Sequence, residues 1–260
     1  MTVIRIHLGK EHINKAIALM MLVLGLVSLL GSAVYNSYVA AFVGLGLTFW
    51  GALLLYLVPS KRVKLDLLTA TSVSSFADIE RILTSSDSTV KGVYLPPKLL
   101  KDYESSVVFV PATAETPLPK REEVDAEKLY SKKPRGIFLT PPGLALSRLF
   151  EKELKVSFTE TDLKYLQKEL PRLFEKLEIS KDTSVTANDN TATVRIAKHI
   201  FIPLCNETAK LRRAHETLGS PFSSALACAL AKATGKPIVI EKEETTQDQT
   251  TTIEYRTLED

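Results

Sequence analysis

The chain has 260 residues, 45% of them hydrophobic, and a formal net charge of +3 at neutral pH. That charge is lopsided: residues 1–64 hold six Lys or Arg against one Glu, which leaves 27 basic and 29 acidic residues in 65–260, and this excludes the basic excess that a nucleic-acid surface needs. Two cysteines, Cys205 and Cys228, read as buried thiols in a reducing compartment rather than as a disulfide framework.

From the N-terminus, a basic flank of Arg5, Lys10 and Lys15 precedes Ala16 to Val34, nineteen residues without a charge, and Val39 to Val58 follows with twenty more. At about 1.5 Å per residue each stretch reaches across the ~30 Å hydrocarbon core of a bilayer. Tyr35, Asn36, Ser37 and Tyr38 form the polar break between them, so the two spans predict a membrane hairpin. Nineteen apolar residues exceed the ~7 to 15 of a signal peptide's apolar core, and a second span follows at once, which argues against cleavage. Lys61, Arg62 and Lys64 follow the second span while the connecting loop holds no Lys or Arg, so the positive-inside bias places both ends in the cytoplasm of a two-span cell-membrane protein. The basic residues suit anionic headgroups, which makes the lipid bilayer the first expected partner.

Neither span holds Asp, Glu, Lys, Arg or His, the groups from which ion pathways are built, which argues against a two-helix transporter. Ala40, Gly44, Thr48 and Ala52 recur every four residues on the second span, with Ser28 and Ser32 as counterparts on the first. Such a face closes the hairpin or assembles a homo-oligomer. The expected organisation is a cytoplasmic N-terminus (1–15), the hairpin (16–58), a juxtamembrane linker (59–74) and a cytoplasmic α/β (α+β) domain with a mixed sheet (75–260).

Within that domain, Ser75 to Leu83 predicts a helix with Phe76, Ile79, Ile82 and Leu83 on one face. The strings GVYLPP, from Gly92, and GIFLTPP, from Gly136, both run strand then Pro-Pro, which points to a duplicated unit or to equivalent places in one sheet. Ser106 to Val110 reads as a buried strand, and the proline- and charge-rich segment 111–134 as a mobile loop. Leu146 to Leu154 and Leu163 to Leu177 predict two helices, the second kinked or split at Pro171. Residues 181–190 read as a polar loop and Ala192 to Ile196 as a strand. Asn206 to Leu218 predicts one helix, and Pro221 to Thr234 a buried helix ended by Gly235. Ile238 to Ile240 and Ile253 to Tyr255 are the last strands, joined by a long, exposed EETTQDQTT loop without glycine.

Candidate chemistry concentrates at Gly219, Ser220, Ser223 and Ser224. A serine N-cap, Pro221 at the first helical position, free N–H groups and two hydroxyls would cradle an anion, or Ser220 simply caps a core helix. Thr140, before Pro141 and Pro142, carries the same two readings. There is no P-loop spacing, GxGxxG or GxSxG, so no cofactor and no catalytic set is expected. His199, Cys205, His215 and Cys228 lack metal-ligand spacing and read as buried thiols and surface histidines, so no metal is expected either.

The order from Leu163 onward resembles the closing part of 4-vinyl-reductase-type small-molecule-binding domains and of TRAPP transport-particle subunits. It runs through a leucine-rich helix, Val194 to Ile196, a turn at Gly219 to Pro221, an apolar helix and a final hairpin near Tyr255. Ser220 stands where those binding domains often carry cysteine, so the resemblance implies an apolar ligand pocket or an interaction surface, without a cysteine-held metal. With GVYLPP and FLTPPG behind a membrane hairpin, the whole chain also resembles archaeal membrane-anchored proteins of unknown function. The expectation is a membrane-anchored, non-catalytic module for a small molecule, lipid or protein partner. The alternatives are a membrane-associated enzyme taking a phosphate-bearing or lipid substrate at Ser220 to Ser224, and an oligomeric scaffold built through the second span.

Overall fold

The computed structural model describes residues 2–57, 65–86, 90–100, 106–124, 128–188 and 190–258. The basic residues Lys61, Arg62 and Lys64, and with them the first part of the expected linker, lie outside the described residues. The chain divides into two compact units, Met1–Lys64 and Leu65–Asp260.

The first unit is a helix pair, α1 (Thr2–Tyr35) and α2 (Tyr38–Leu57). The segments Ile17–Tyr35 and Tyr38–Tyr56 are long and apolar enough to cross a membrane. Asn36 makes the tight reversal with φ of 46°, a left-handed conformation that asparagine tolerates, and Ser32 Oγ donates to Ser37 O across it at 3.1 Å. Ser28 Oγ donates to Ala40 O at 3.0 Å. The helices touch along small residues: a Cβ on Gly44 would lie 2.8 Å from Leu29 N, and one on Gly51 would lie 2.7 Å from Leu22 N. Thr48, whose hydroxyl donates to Gly44 O at 2.7 Å, packs against Gly25. Ala40, Gly44 and Thr48 therefore belong to the seam within the hairpin, but Ala52 is exposed and Gly51 takes its place. The reason is helical phase: at about 100° per residue a four-residue spacing drifts, and by Ala52 it has turned about 120° from Ala40, whereas Gly51 returns to within about 20°.

The second unit opens with α3 (Leu65–Ser85), ten residues earlier than its apolar spacing predicts, so the expected linker is helical from Leu65. Eight strands form one sheet: β1 (Val93–Leu95), β2 (Val107–Pro111), β3 (Tyr130–Lys132), β4 (Arg135–Leu139), β5 (Asp182–Ala187), β6 (Thr191–Ala197), β7 (Ile238–Thr245) and β8 (Thr250–Thr257). Their order is β3-β4-β2-β1-β7-β8-β6-β5. Every neighbouring pair is antiparallel, which corrects the expected mixed sheet. Four of these pairs are consecutive in the chain and return on themselves through turns or loops, and parallel pairing would have required crossovers that the chain does not make. The two strand-Pro-Pro strings are β1 and β4, and they flank β2 on either side, equivalent places in one sheet.

Helices α4 (Leu144–Leu154), α5 (Leu163–Lys176), α6 (Ile202–Ala209), α7 (Arg212–Leu218) and α8 (Pro221–Thr234) complete the unit. α5 runs through Pro171 without splitting, and the helix expected over 206–218 breaks into α6 and α7. The expected polar loop 181–190 is mostly strand β5 with its turn. The expected long loop before the last strand is a short turn in which Gln249, at φ of 63°, takes the left-handed position, braced by Asp248 accepting from Thr246 and Thr250 hydroxyls.

The main core lies between the sheet and the helices, with α8 buried almost all round: Phe222, Ala225, Leu226 and Cys228 are each 0% exposed. A smaller cluster of Val93, Leu95, Phe109, Phe138 and Val239 occupies the opposite face of the sheet. Leu118 and Val124 of the segment expected to be a mobile loop pack into it, so described parts of 111–134 form a roof over that face, and the segment ends in β3. Residues 125–127 lie outside the described residues. Two apolar side chains are enough to seat a polar segment on an otherwise open apolar face.

Candidate functional site

The residues singled out at the start of α8 do come together, but around a group of the chain's own. Gly219 adopts φ of 68°, and a Cβ there would fall 2.8 Å from Ile240 Cδ1. Ser220 then caps α8, its hydroxyl accepting from Ser223 N at 3.2 Å. Glu243 of β7 reaches this turn: its carboxylate accepts from Ser220 N at 2.9 Å and from Ser223 Oγ at 2.6 Å. The anion that a helix start attracts is thus supplied from within. Ser220, Ser223 and Ser224 are each 0% exposed, and none of them lines the surface depressions bounded by Val110 and Arg135, by Glu123 and Lys133, by Glu175 and Ile200, or by Asp162 and Thr257.

The Thr140 turn meets the same place from the other side. Thr140 itself is exposed, but Gly143 N donates to Ser224 Oγ at 3.0 Å, and Gly143 lies so close to Pro221 O and Ala225 N that no side chain fits there. Two buried tyrosines complete the joint, Tyr94 donating to Leu218 O at 2.6 Å and Tyr255 to Ser223 O at 3.0 Å. Burial pushes both phenols well above their ordinary 10. Burial, with the Glu243 charge, pushes the Cys205 thiol up to about 12. Chemically this is a locked polar joint between α7, α8, β1, β7 and β8.

Other helix starts are closed in the same way. Glu80 of α3 accepts from Ala214 N at 2.6 Å at the head of α7, and Asp162 accepts from Tyr165 N at 2.8 Å at the head of α5. Glu151 of α4 accepts from Phe158 N at 2.9 Å and pairs with Lys232 of α8 at 2.8 Å, a nearly buried ion pair. His199 stacks on Phe222 with 4.9 Å between rings and hydrogen-bonds Thr251 at 2.8 Å. Its burial lowers its pKa to about 4. Cys228 sits in α8 with its thiol raised by burial to about 12. His199, Cys205 and Cys228 are core groups with separate neighbours, and among the described residues no set of three His, Cys, Asp or Glu side chains could hold a metal ion.

The open chemistry lies at the β3 edge of the sheet, where the helical cover ends. A depression of about 430 Å³ runs between the end of α3 and the exposed ends of β2, β4 and β3. Val110, Ala112 and Ile137 form its floor, and Tyr130, Lys132 and Arg135 its rim. These rim residues were not singled out from the sequence. The basic string before GIFL was visible, but the pairing that sets Lys132 directly opposite Arg135 belongs to the β3–β4 register.

A helix hairpin apolar enough to span a membrane, joined in one chain to a helix-covered antiparallel sheet of eight strands, defines a class that carries both parts together. The chain belongs to the family of the domain of unknown function DUF7982, which matches residues 7–257 and so takes in the helix pair and the sheet domain alike. No curated protein and no solved structure matches it. The resemblance to 4-vinyl-reductase-type domains and TRAPP subunits therefore finds no support, nor does an archaeal source.

Proposed function

We propose that this protein is a membrane-anchored binding module: α1 and α2 cross the bilayer with both ends on the cytoplasmic side, and the sheet domain holds a small molecule, lipid or protein partner without turning it over. One observation supports this reading over an enzyme. Catalysis concentrates strongly perturbed titratable groups in a cleft, yet Tyr94, Tyr255, His199, Cys205 and Cys228, the groups that burial shifts most, are all in the core. Among the described residues, none of them lines the depression at the β3 edge or the three other surface depressions, at Glu123, Glu175 and Asp162. The phosphate-taking helix start of the enzyme alternative is already occupied by Glu243.

The test has two arms. An Asn36→Cys variant, probed with a membrane-impermeant maleimide, should label from outside intact cells, because the two native thiols are buried; protection from outside would refute the orientation. Full-length protein extracted from its own membrane should carry a co-purifying ligand in native mass spectrometry or a crosslinked partner. A clean, unliganded and uncrosslinked chain would refute the binding role.

A further inference from the structure

Ion pairs on the second unit join Arg256 to Glu241 at 2.6 Å, Lys210 to Glu207 at 2.7 Å, Lys232 to Glu151 at 2.8 Å and Lys176 to Glu153 at 3.2 Å. The β3–β4 hairpin instead sets two cations against each other. Lys132 and Arg135 are cross-strand partners, both exposed, and neither has an ion-pair partner among the described residues. Like charges set directly opposite on a sheet destabilise it by up to ~1 kcal/mol, and Lys133 in the intervening turn adds a third positive charge. The C-terminal end of α3 also borders the depression and is worth roughly half a negative charge. Even that end is partly capped, since Ser85 and Ser86 hydroxyls donate to Ile82 O and Leu83 O at 2.8 Å each. Two full positive charges thus border the depression, neither held in an ion pair among the described residues.

The depression has the size of a ligand site, about 430 Å³ against the ~300 to 1,000 Å³ usual for small molecules. Its floor is apolar and Tyr130, on its rim, is 58% exposed. An arginine and a lysine converging over an apolar floor match a phosphate group joined to an apolar body, the arginine as a planar fork and the lysine as a point charge. Resting on the binding-module reading above, we infer that this depression binds a phosphate ester, with the phosphate between Lys132 and Arg135 and the ester's carbon framework on Val110, Ala112 and Ile137. The same chemistry is presented by the headgroup of an anionic phospholipid and by a soluble phosphomonoester.

The experiment uses the full chain in detergent micelles, offered phosphatidylglycerol, phosphatidylcholine and glycerol phosphate, with retained adducts read by native mass spectrometry. Wild type should retain phosphatidylglycerol or glycerol phosphate over phosphatidylcholine. Retention by both anionic probes identifies a soluble-ester site, and retention of phosphatidylglycerol alone a headgroup site. Lys132→Ala/Arg135→Ala should lower retention at least tenfold, and Ala112→Leu, which fills the floor and keeps both cations, should lower it as well. Lys164→Ala/Lys168→Ala, an equal loss of charge on exposed α5 positions, should leave it unchanged. Equal retention by wild type and the Lys132/Arg135 variant would overturn the inference while leaving the binding module standing. A wild type that retains neither anionic probe, yet carries a native ligand or partner, would overturn it in the same way.

Discussion

Replacing Glu243 with alanine removes the carboxylate that closes the start of α8. The loss is two hydrogen bonds to a charged acceptor, from Ser220 N at 2.9 Å and Ser223 Oγ at 2.6 Å, in a half-buried setting. Bonds to charged groups are worth ~1.5 to 3 kcal/mol each, and the lower end applies where water can partly compensate. The lost charge at the helix start adds about 0.5 kcal/mol, so Glu243→Ala should cost roughly 3.5 kcal/mol. For a domain of this size that is a fall of roughly 7 to 14 °C in Tm. Glu243→Gln keeps an acceptor oxygen in place and loses mainly the charge, so it should cost about 1 kcal/mol. Near-UV circular dichroism of the full chain in micelles reads the domain through buried Tyr94 and Tyr255. Because Glu243→Ala also vacates an anion site, inorganic phosphate should raise the Tm of that variant and leave wild type unmoved. A Glu243→Ala protein that melts within about a degree of wild type, or a Glu243→Gln protein as damaged as Glu243→Ala, would refute this account of the joint.

His199 gives a pH signature. Its folded pKa of about 4 lies below its ordinary 6.5, so as pH falls through 6.5 the unfolded chain takes up a proton that the fold refuses. Stability should therefore drop between about pH 6.5 and 4, by ~3 kcal/mol at the low end, and denaturant titrations of His199→Gln should lack that part of the slope. Gly143→Ala should be among the most damaging single-methyl changes, costing about 3 kcal/mol or more because its new atom meets helix backbone at Pro221 and Ala225; a Tm near that of wild type would contradict the packing. In the hairpin, Gly44→Leu should disrupt the helix pair and lower the yield of monodisperse protein in detergent. Gly46→Leu, where nothing lies within 4 Å, should be neutral; equal behaviour of the two would count against the seam.

The sequence made the helix pair legible because apolar length needs no partner to be read, and it made α8 legible because an all-apolar helix has only one place to go. Ala52 was misplaced because a four-residue spacing only approximates the helical turn. Strand β5 was hidden in polar residues: Asp182, Ser184 and Thr186 alternate with Thr183, Val185 and Ala187, so its inward row holds a single branched aliphatic side chain, Val185. Glu243 was beyond reach for a different reason. The register irregularity between Ile240 and Lys242 shifts the alternation of β7, which turns Glu243 toward α8 and defeats a count by twos. Lys132 and Arg135 were visible as charges, but their opposition is a property of the hairpin register.

The sheet is held at its middle by a short ladder. Only Val93 with Val239 and Tyr94 with Ile238 join β1 to β7, and this seam connects the four strands made first to the four made last. During synthesis the helix pair and the β1–β4 strands emerge while their central partner does not yet exist, so β1 must wait with one edge unpaired until Val239 is made.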